Sequence, residues 1–270
     1  MLYLVATPIG NLEDITYRAV RILSSCSYIL CEDQRKSQIL LNHYGIKKEL
    51  QSFHKFCEKK KEERILNDLK EGKEIALISD AGVPLISDPG CNLVQKCIEN
   101  KLSFTAIPGP SSLMNALLLS GFNTQPLLFL GFLSKQKSEK EKEIRRMLFF
   151  PGTSICFETA KRIEETLHII QDLDPSRPCA IAREMTKKFE ECVRHDAASL
   201  LLQVQRSPLL GELVLVLGAQ EAPVHLLPLE ELISLLQNLF ALDEKEAIKT
   251  AAKLRKTPKR AYYNLLKKKE

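Results

Sequence analysis

The chain has 270 residues, 39 of them Lys or Arg and 34 Asp or Glu, for a formal net charge of +5. An apolar fraction of 44% with 27% charged residues excludes disorder for most of the chain and supplies ample core material. The excess charge is local: residues 242–270 hold ten basic and four acidic side chains, leaving 29 and 30 in the first 241, so any partner implied by charge belongs to the tail.

No run approaches the ~18 apolar residues of a membrane span. Met1–Ala6 has no basic flank and reaches Thr7-Pro8 too soon for a signal peptide, so a cytoplasmic protein without membrane contact is expected. None of the eight cysteines forms C-x-x-C, and Cys31 and Cys156 sit inside apolar strand-like runs. They read as buried thiols in a reduced compartment, with no metal.

Taken in chain order, 2–6, 27–31, 50–53, 74–79 and 102–107 predict strands. Between them, 15–25, 35–43, 59–70 and 92–99 carry apolar residues at helical spacing. Gly45 and Gly72 stand where C-terminal caps belong. Such alternation predicts an α/β layer on a mostly parallel sheet. A boundary is expected near 121–126, giving a first domain over 1–121. A second α/β domain over 122–220 follows, with strands at 127–132, 154–157, 179–184, 189–195 and 212–217 and helices at 139–148, 161–173 and 197–205. The Lys/Glu-rich stretch 135–146 reads as a solvated helix. Residues 221–270 form a linker and a small helical module, with helices at 229–240, 244–254 and 258–266.

Prolines mark the functional end of the first domain. All five in residues 1–110 lie in three loops, each after a predicted strand. The loops are Thr7-Pro8-Ile9-Gly10-Asn11, the stretch from Asp80 to Gly90, and Pro108-Gly109-Pro110-Ser111-Ser112. Proline fixes φ and removes a donor, and glycine permits close backbone approach. Open parallel sheets bind ligands at this end of their strands, so one composite pocket is expected. Neither G-x-G-x-x-G nor G-K-[ST] occurs, so the pocket suits no diphosphate. It suits a ligand held by shape, backbone carbonyls and a few carboxylates, including one bearing positive charge. Asp80 either pairs with such a ligand or caps a helix or braces a turn.

Several strings identify a resemblance. YLVATPIGNLEDIT at 3–16, Glu32-Asp33 followed by Arg35, LISDAGVPLISDPG at 77–90, PGPSS at 108–112 and REMTK at 183–187 resemble the ribosomal RNA small subunit methyltransferase I family. The resemblance continues through the strand from Gly211 to Val216 and into the basic tail. It implies a tetrapyrrole-methylase-like fold, two α/β domains with S-adenosylmethionine in the cleft between them, and a homodimer. It implies 2′-O-methylation of a cytidine ribose in 16S rRNA, free or in the 30S subunit. By the same resemblance the cofactor is held by Pro8 and Ile9, Asp80 and Val83, and Ser111 and Ser112. Phe157, Arg183 and Leu213 would close over it from the second domain.

Removing the proton of a ribose hydroxyl calls for a nearby base, and Glu32, Asp33 and Glu158 each follow a predicted strand. Lys187 or Arg183 would lower the hydroxyl pKa or hold a phosphate. The pair at 32–33 is equally compatible with capping a helix. The chain departs from the family pattern at Gln34 and Val83, at the His54–Glu58 string, and at Thr159-Ala160-Lys161. In the tail, Ala247, Ile248, Ala251 and Leu254 form an apolar stripe. Lys249, Lys253, Arg255, Lys256, Lys259 and Arg260 crowd the outer side and suit a phosphate backbone. Two other readings stay open: a small-molecule methylase acting on a tetrapyrrole-like acceptor, and a non-catalytic ribosome-binding protein.

Overall fold

In a computed structural model of the chain, residues 1–54, 58–219 and 229–255 are described. Strands β1 (Leu2–Val5), β2 (Tyr28–Cys31), β3 (Leu50–Ser52), β4 (Ile75–Ile78) and β5 (Phe104–Ile107) form one sheet in the order β3-β2-β4-β1-β5. The paired strands all run parallel. β2 and β4 are buried at every residue, as expected of central strands covered on both faces. Side chains alternate between two cores. Ile29, Cys31, Ala76 and Ile78 pack with helices α1 (Tyr17–Ser25) and α2 (Gln34–His43). Tyr28, Leu30, Ile75 and Leu77 pack with α3 (Glu58–Lys70) and α4 (Cys91–Glu99) on the other side.

Local signals explain the helix bounds. Thr16 caps α1 by accepting from the Ala19 amide. After α2, the Ile46 amide donates to the Leu41 carbonyl and that of Gly45 to Asn42, a Schellman closure. The same pattern closes α3 at Gly72. Helix α5 (Ser112–Ser120) is absent from the sequence expectation. Its Leu, Met and Ala residues surround the axis, leaving no polar face to betray a helical period.

A second sheet contains β6 (Leu127–Phe132), β7 (Thr153–Thr159), β8 (Pro178–Arg183), β9 (Glu191–Asp196) and β10 (Glu212–Leu217), ordered β6-β7-β10-β8-β9. β6 lies parallel and β10 antiparallel to β7. Its core joins the sheet to α6 (Lys137–Phe149), α7 (Ile163–Leu173) and α8 (Ala197–Arg206). The solvated reading of α6 fails at Lys140, which is fully buried. Its ammonium is tied to Glu165 at 2.5 Å and lies 3.9 Å from Glu158. A long stem covered by α7 and a paired head explain the burial.

Helices α9 (Leu229–Phe240) and α10 (Glu244–Leu254) share a small core of Leu232, Ile233, Leu236, Ala247, Ile248, Ala251 and Ala252. Leu254, expected in that stripe, is exposed, and Ala252 takes its place. The expected linker at 221–228 and helix at 258–266 lie outside the described residues. Among the described residues no helix is long and apolar enough to cross a membrane.

The chain divides into two compact units: residues 1–119 with 182–192, and 120–181 with 193 onward. The connection between β8 and β9 therefore groups with the first unit.

Candidate active site

The three proline-rich loops meet in the first unit. Thr7 and Gly82 exchange backbone hydrogen bonds, 2.9 Å in each direction. The Thr7 hydroxyl donates to the Ser79 carbonyl at 3.1 Å, and the Ser79 hydroxyl to the Gly82 carbonyl at 2.7 Å. The first loop and the loop after β4 are thus joined by three hydrogen bonds at buried residues, and the fourth braces the latter loop internally. The third loop closes against them: a Cβ on Gly109 would stand 2.9 Å from that of Ala6, so only glycine fits that approach. Pro8, Ile9 and Val83 are half-buried around this junction. Ser111 and Ser112 open α5, where the Ser111 hydroxyl accepts from the Met114 amide at 3.4 Å. The composite pocket expected from three separate strings has its loops in contact.

Asp80 links the junction to the loop after β2. One carboxylate oxygen accepts from the Asp33 amide at 3.0 Å, and the other pairs with Lys36 at 2.9 Å. Of the two readings open for Asp80, the bracing one is displayed. Its side chain stays 21% exposed, and a carboxylate has lone pairs left for a ligand.

The catalytic candidates separate clearly. Asp33 caps α2 through the Arg35 amide and pairs with the Arg35 guanidinium at 2.9 Å. That guanidinium and amide hold its carboxyl down at about 2, which makes it a weak proton acceptor. Glu158 does not project into any opening, because its side chain is fully buried. It accepts from the Thr159 amide and the Thr166 hydroxyl, with Arg162 at 3.5 Å. The expectation that a strand end projects its carboxylate outward fails there: β7 runs on through Thr159, and the Glu158 position faces α6 and α7. Glu32 is the carboxylate that remains. It is exposed at the end of β2, and among the described residues no hydrogen bond or ion pair engages it.

Arg183 and Lys187 belong to the first unit. Arg183 pairs with Glu191 at 2.7 Å and Lys187 with Glu184 at 3.1 Å. In the second unit, Phe157 meets Phe129 edge-on and Phe132 at a tilt. Leu213 fills the core there, so its side chain does not line an opening. Lys249 and Lys253 are exposed on α10, and Arg255 follows it half-buried. Lys256, Lys259 and Arg260 lie outside the described residues.

Sequence reasoning passed over Thr7, Ser79 and Lys36, which build the junction. The signal was faint, since a lone hydroxyl residue at a strand end is common. Among the described cysteines, Cys26, Cys31, Cys97, Cys156 and Cys179 are buried and free, and burial pushes the Cys26 thiol up to about 11. Cys91 is exposed and Cys192 half-buried, contrary to expectation. Cys57 lies outside the described residues. Among those described, no group of three or more His, Cys, Asp or Glu could hold a metal.

Residues 1–201 match the family Tetrapyrrole (Corrin/Porphyrin) Methylases. The chain is 37% identical to the ribosomal RNA small subunit methyltransferase I of Halalkalibacterium halodurans, over 98% of this chain and 93% of that protein. It is 38% identical to the protein of the same name in Bacillus subtilis, with the same coverage. The Thermotoga maritima protein of that name is 42% identical over 99% of its own length, yet leaves about a fifth of this chain unmatched. Among solved structures, the methyltransferase CobJ superposes with a TM-score of 0.61 at 14% identity, over 82% of this chain and 94% of that one. A uroporphyrin-III C-methyltransferase from Thermus thermophilus, complexed with S-adenosylhomocysteine, gives 0.58 at 16%, over 80% and 96%. At such identities these structures establish the fold: the tetrapyrrole methylase α/β architecture. The chain belongs to the ribosomal RNA small subunit methyltransferase I family of the tetrapyrrole methylases.

Proposed function

We propose that this chain transfers the methyl group of S-adenosylmethionine to the 2′-oxygen of a cytidine ribose in 16S rRNA. The observation that carries this reading is 37–38% identity over nearly the whole chain to relatives named for small-subunit rRNA methylation. A small tetrapyrrole-like acceptor is the weaker reading, since the solved methyltransferases that superpose on this chain share only 14–18% identity with it. The protein acts in the cytoplasm as a homodimer on rRNA or the small subunit.

The residues present fit the cofactor. The loops meet through backbone bonds and a Cβ-free glycine, and Pro8 and Pro110 offer no amide to a diphosphate. Half-buried Ile9 and Val83 offer apolar contact, while Asp80, paired with Lys36, keeps lone pairs to accept from a ligand's ammonium or hydroxyls. When bound, the sulfonium supplies an activated methyl group. The chain's task is then to hold two reactants in line and take one proton. Pro8, Ile9, Asp80, Val83, Ser111 and Ser112 hold the cofactor. Arg183, in the same unit, completes its surroundings. Glu32 accepts the ribose proton, and Lys187 offers a cation to the RNA.

Labelled methyl supplied as S-adenosylmethionine is expected to appear in the RNA of 30S subunits and not in uroporphyrinogen. Labelling of the tetrapyrrole alone would restore the small-molecule reading.

Lys249, Lys253 and Arg255, with Lys256, Lys259 and Arg260, form a phosphate-binding handle. Each neutralised phosphate adds a steep salt dependence. Replacing Lys249 and Lys253 together by Glu is expected to flatten the slope of log affinity against log salt by about 1.5. RNA binding at several KCl concentrations measures it, and an unchanged slope would make α10 a solvated cap.

A further inference from the structure

Residues 184–190, between β8 and β9, touch the first proline loop at two points. The Asn11 amide donates to the Thr186 hydroxyl at 3.1 Å. Beside it, Gly10 has no room for a side chain. A Cβ there would stand 2.5 Å from Lys187 Cγ and 2.9 Å from Thr186 Oγ1. Asn11 is bound on its other side as well, since its side-chain oxygen accepts from the Glu13 amide at 3.1 Å.

The turn that presents Thr186 is held in a disfavoured conformation. Glu184 has φ 48° and Thr186 φ 67°. A β-branched residue seldom occupies this left-handed region. Glycine or asparagine would sit there with less strain, but neither carries a hydroxyl. Side chains and backbone over-determine the geometry. The Thr186 amide donates to Glu190 at 2.6 Å, the Lys187 amide to the Glu184 carbonyl at 3.0 Å, and the Glu190 amide to the Lys187 carbonyl at 3.1 Å. Met185 is buried between them in sequence. Strain kept in place this firmly at the wall of a site is characteristic of function.

We infer that Thr186 is a positioning residue for the cofactor: its hydroxyl fixes the Thr7–Asn11 loop, and Gly10 is the bare position that lets it approach. The inference rests on the reading of that loop as a cofactor wall. It makes the REMTK turn part of the cofactor site through loop one, without requiring it to touch the ligand.

The test is calorimetric binding of S-adenosylmethionine to the full chain and to Thr186→Ser, Thr186→Gly and Gly10→Ala, with Tm measured for each. Thr186→Ser keeps the hydroxyl and is expected to bind within about twofold of the unsubstituted chain. Thr186→Gly relieves the backbone and holds or raises Tm, yet binds about tenfold more weakly, the loss of one hydrogen bond. Gly10→Ala weakens binding similarly, and adding Thr186→Gly to it costs little more, because both break the same contact. Thr186→Gly binding as tightly as the unsubstituted chain would overturn the inference. So would an affinity loss in Thr186→Gly that Thr186→Ser fails to rescue. If the unsubstituted chain gives no saturable heat, the cofactor reading itself falls, and the inference with it.

Discussion

Replacing Glu32 by Gln is expected to lower kcat for methyl transfer to rRNA by about 10²–10⁴-fold, the range for removing a general base. Affinity for S-adenosylmethionine should be unchanged, because Asp80 and the loop junction stay intact. The expectation follows from elimination on geometry. Asp33 is committed to Arg35 and to the start of α2, and Glu158 is sealed in its own unit. Glu32 is exposed, yet the Asp33 amide beside it is pinned to Asp80 at 3.0 Å. The carboxylate is therefore accessible on a backbone that is not free to drift. Single-turnover kinetics with saturating cofactor would measure the step. Asp33→Ala supplies the contrast, with an effect on helix capping and stability larger than its effect on kcat. A Glu32→Gln enzyme with full kcat would remove the proposed base.

Glu158→Ala is expected to act on stability. Removing one partner from a buried charged network costs about 3–5 kcal/mol, which for a chain of this size lowers Tm by about 10 °C. Lys140 would keep Glu165, but Thr166, Arg162 and the Thr159 amide would lose an acceptor inside the core. Combining Glu158→Ala with Lys140→Met should cost less than the sum of the two, because both remove the same buried Lys140–Glu158 interaction. Cofactor affinity of the folded fraction should be retained. Loss of kcat without loss of Tm would instead return Glu158 to the catalytic candidates.

The contrast between these carboxylates shows what the sequence could and could not carry. The first sheet was legible because its strands bury both faces, as in YILC and IALI, and its helices end on Gly45 and Gly72. The meeting of the three loops was legible because proline and glycine concentrate where backbone must be fixed or approached closely. Helix α5 was not, since an all-apolar stretch has no period to read. Nor was the fate of each carboxylate. Glu32, Asp33 and Glu158 all follow strand-like runs, and their difference lies in side-chain partners 1 to 18 positions away that pattern alone does not pair. Lys140 shows the same limit: its neighbours are charged, and burial came from α7. Thr186 was visible only within a string, while its effect comes from φ 67° and a glycine 176 positions earlier.

The most direct measurement is nucleoside mass spectrometry of 16S rRNA from 30S subunits incubated with the full chain and S-adenosylmethionine. A 2′-O-methylcytidine, absent from the reaction with Glu32→Gln, is the predicted result. Methylation on a base, or an unmodified nucleoside profile from a chain that binds the cofactor, would contradict the account.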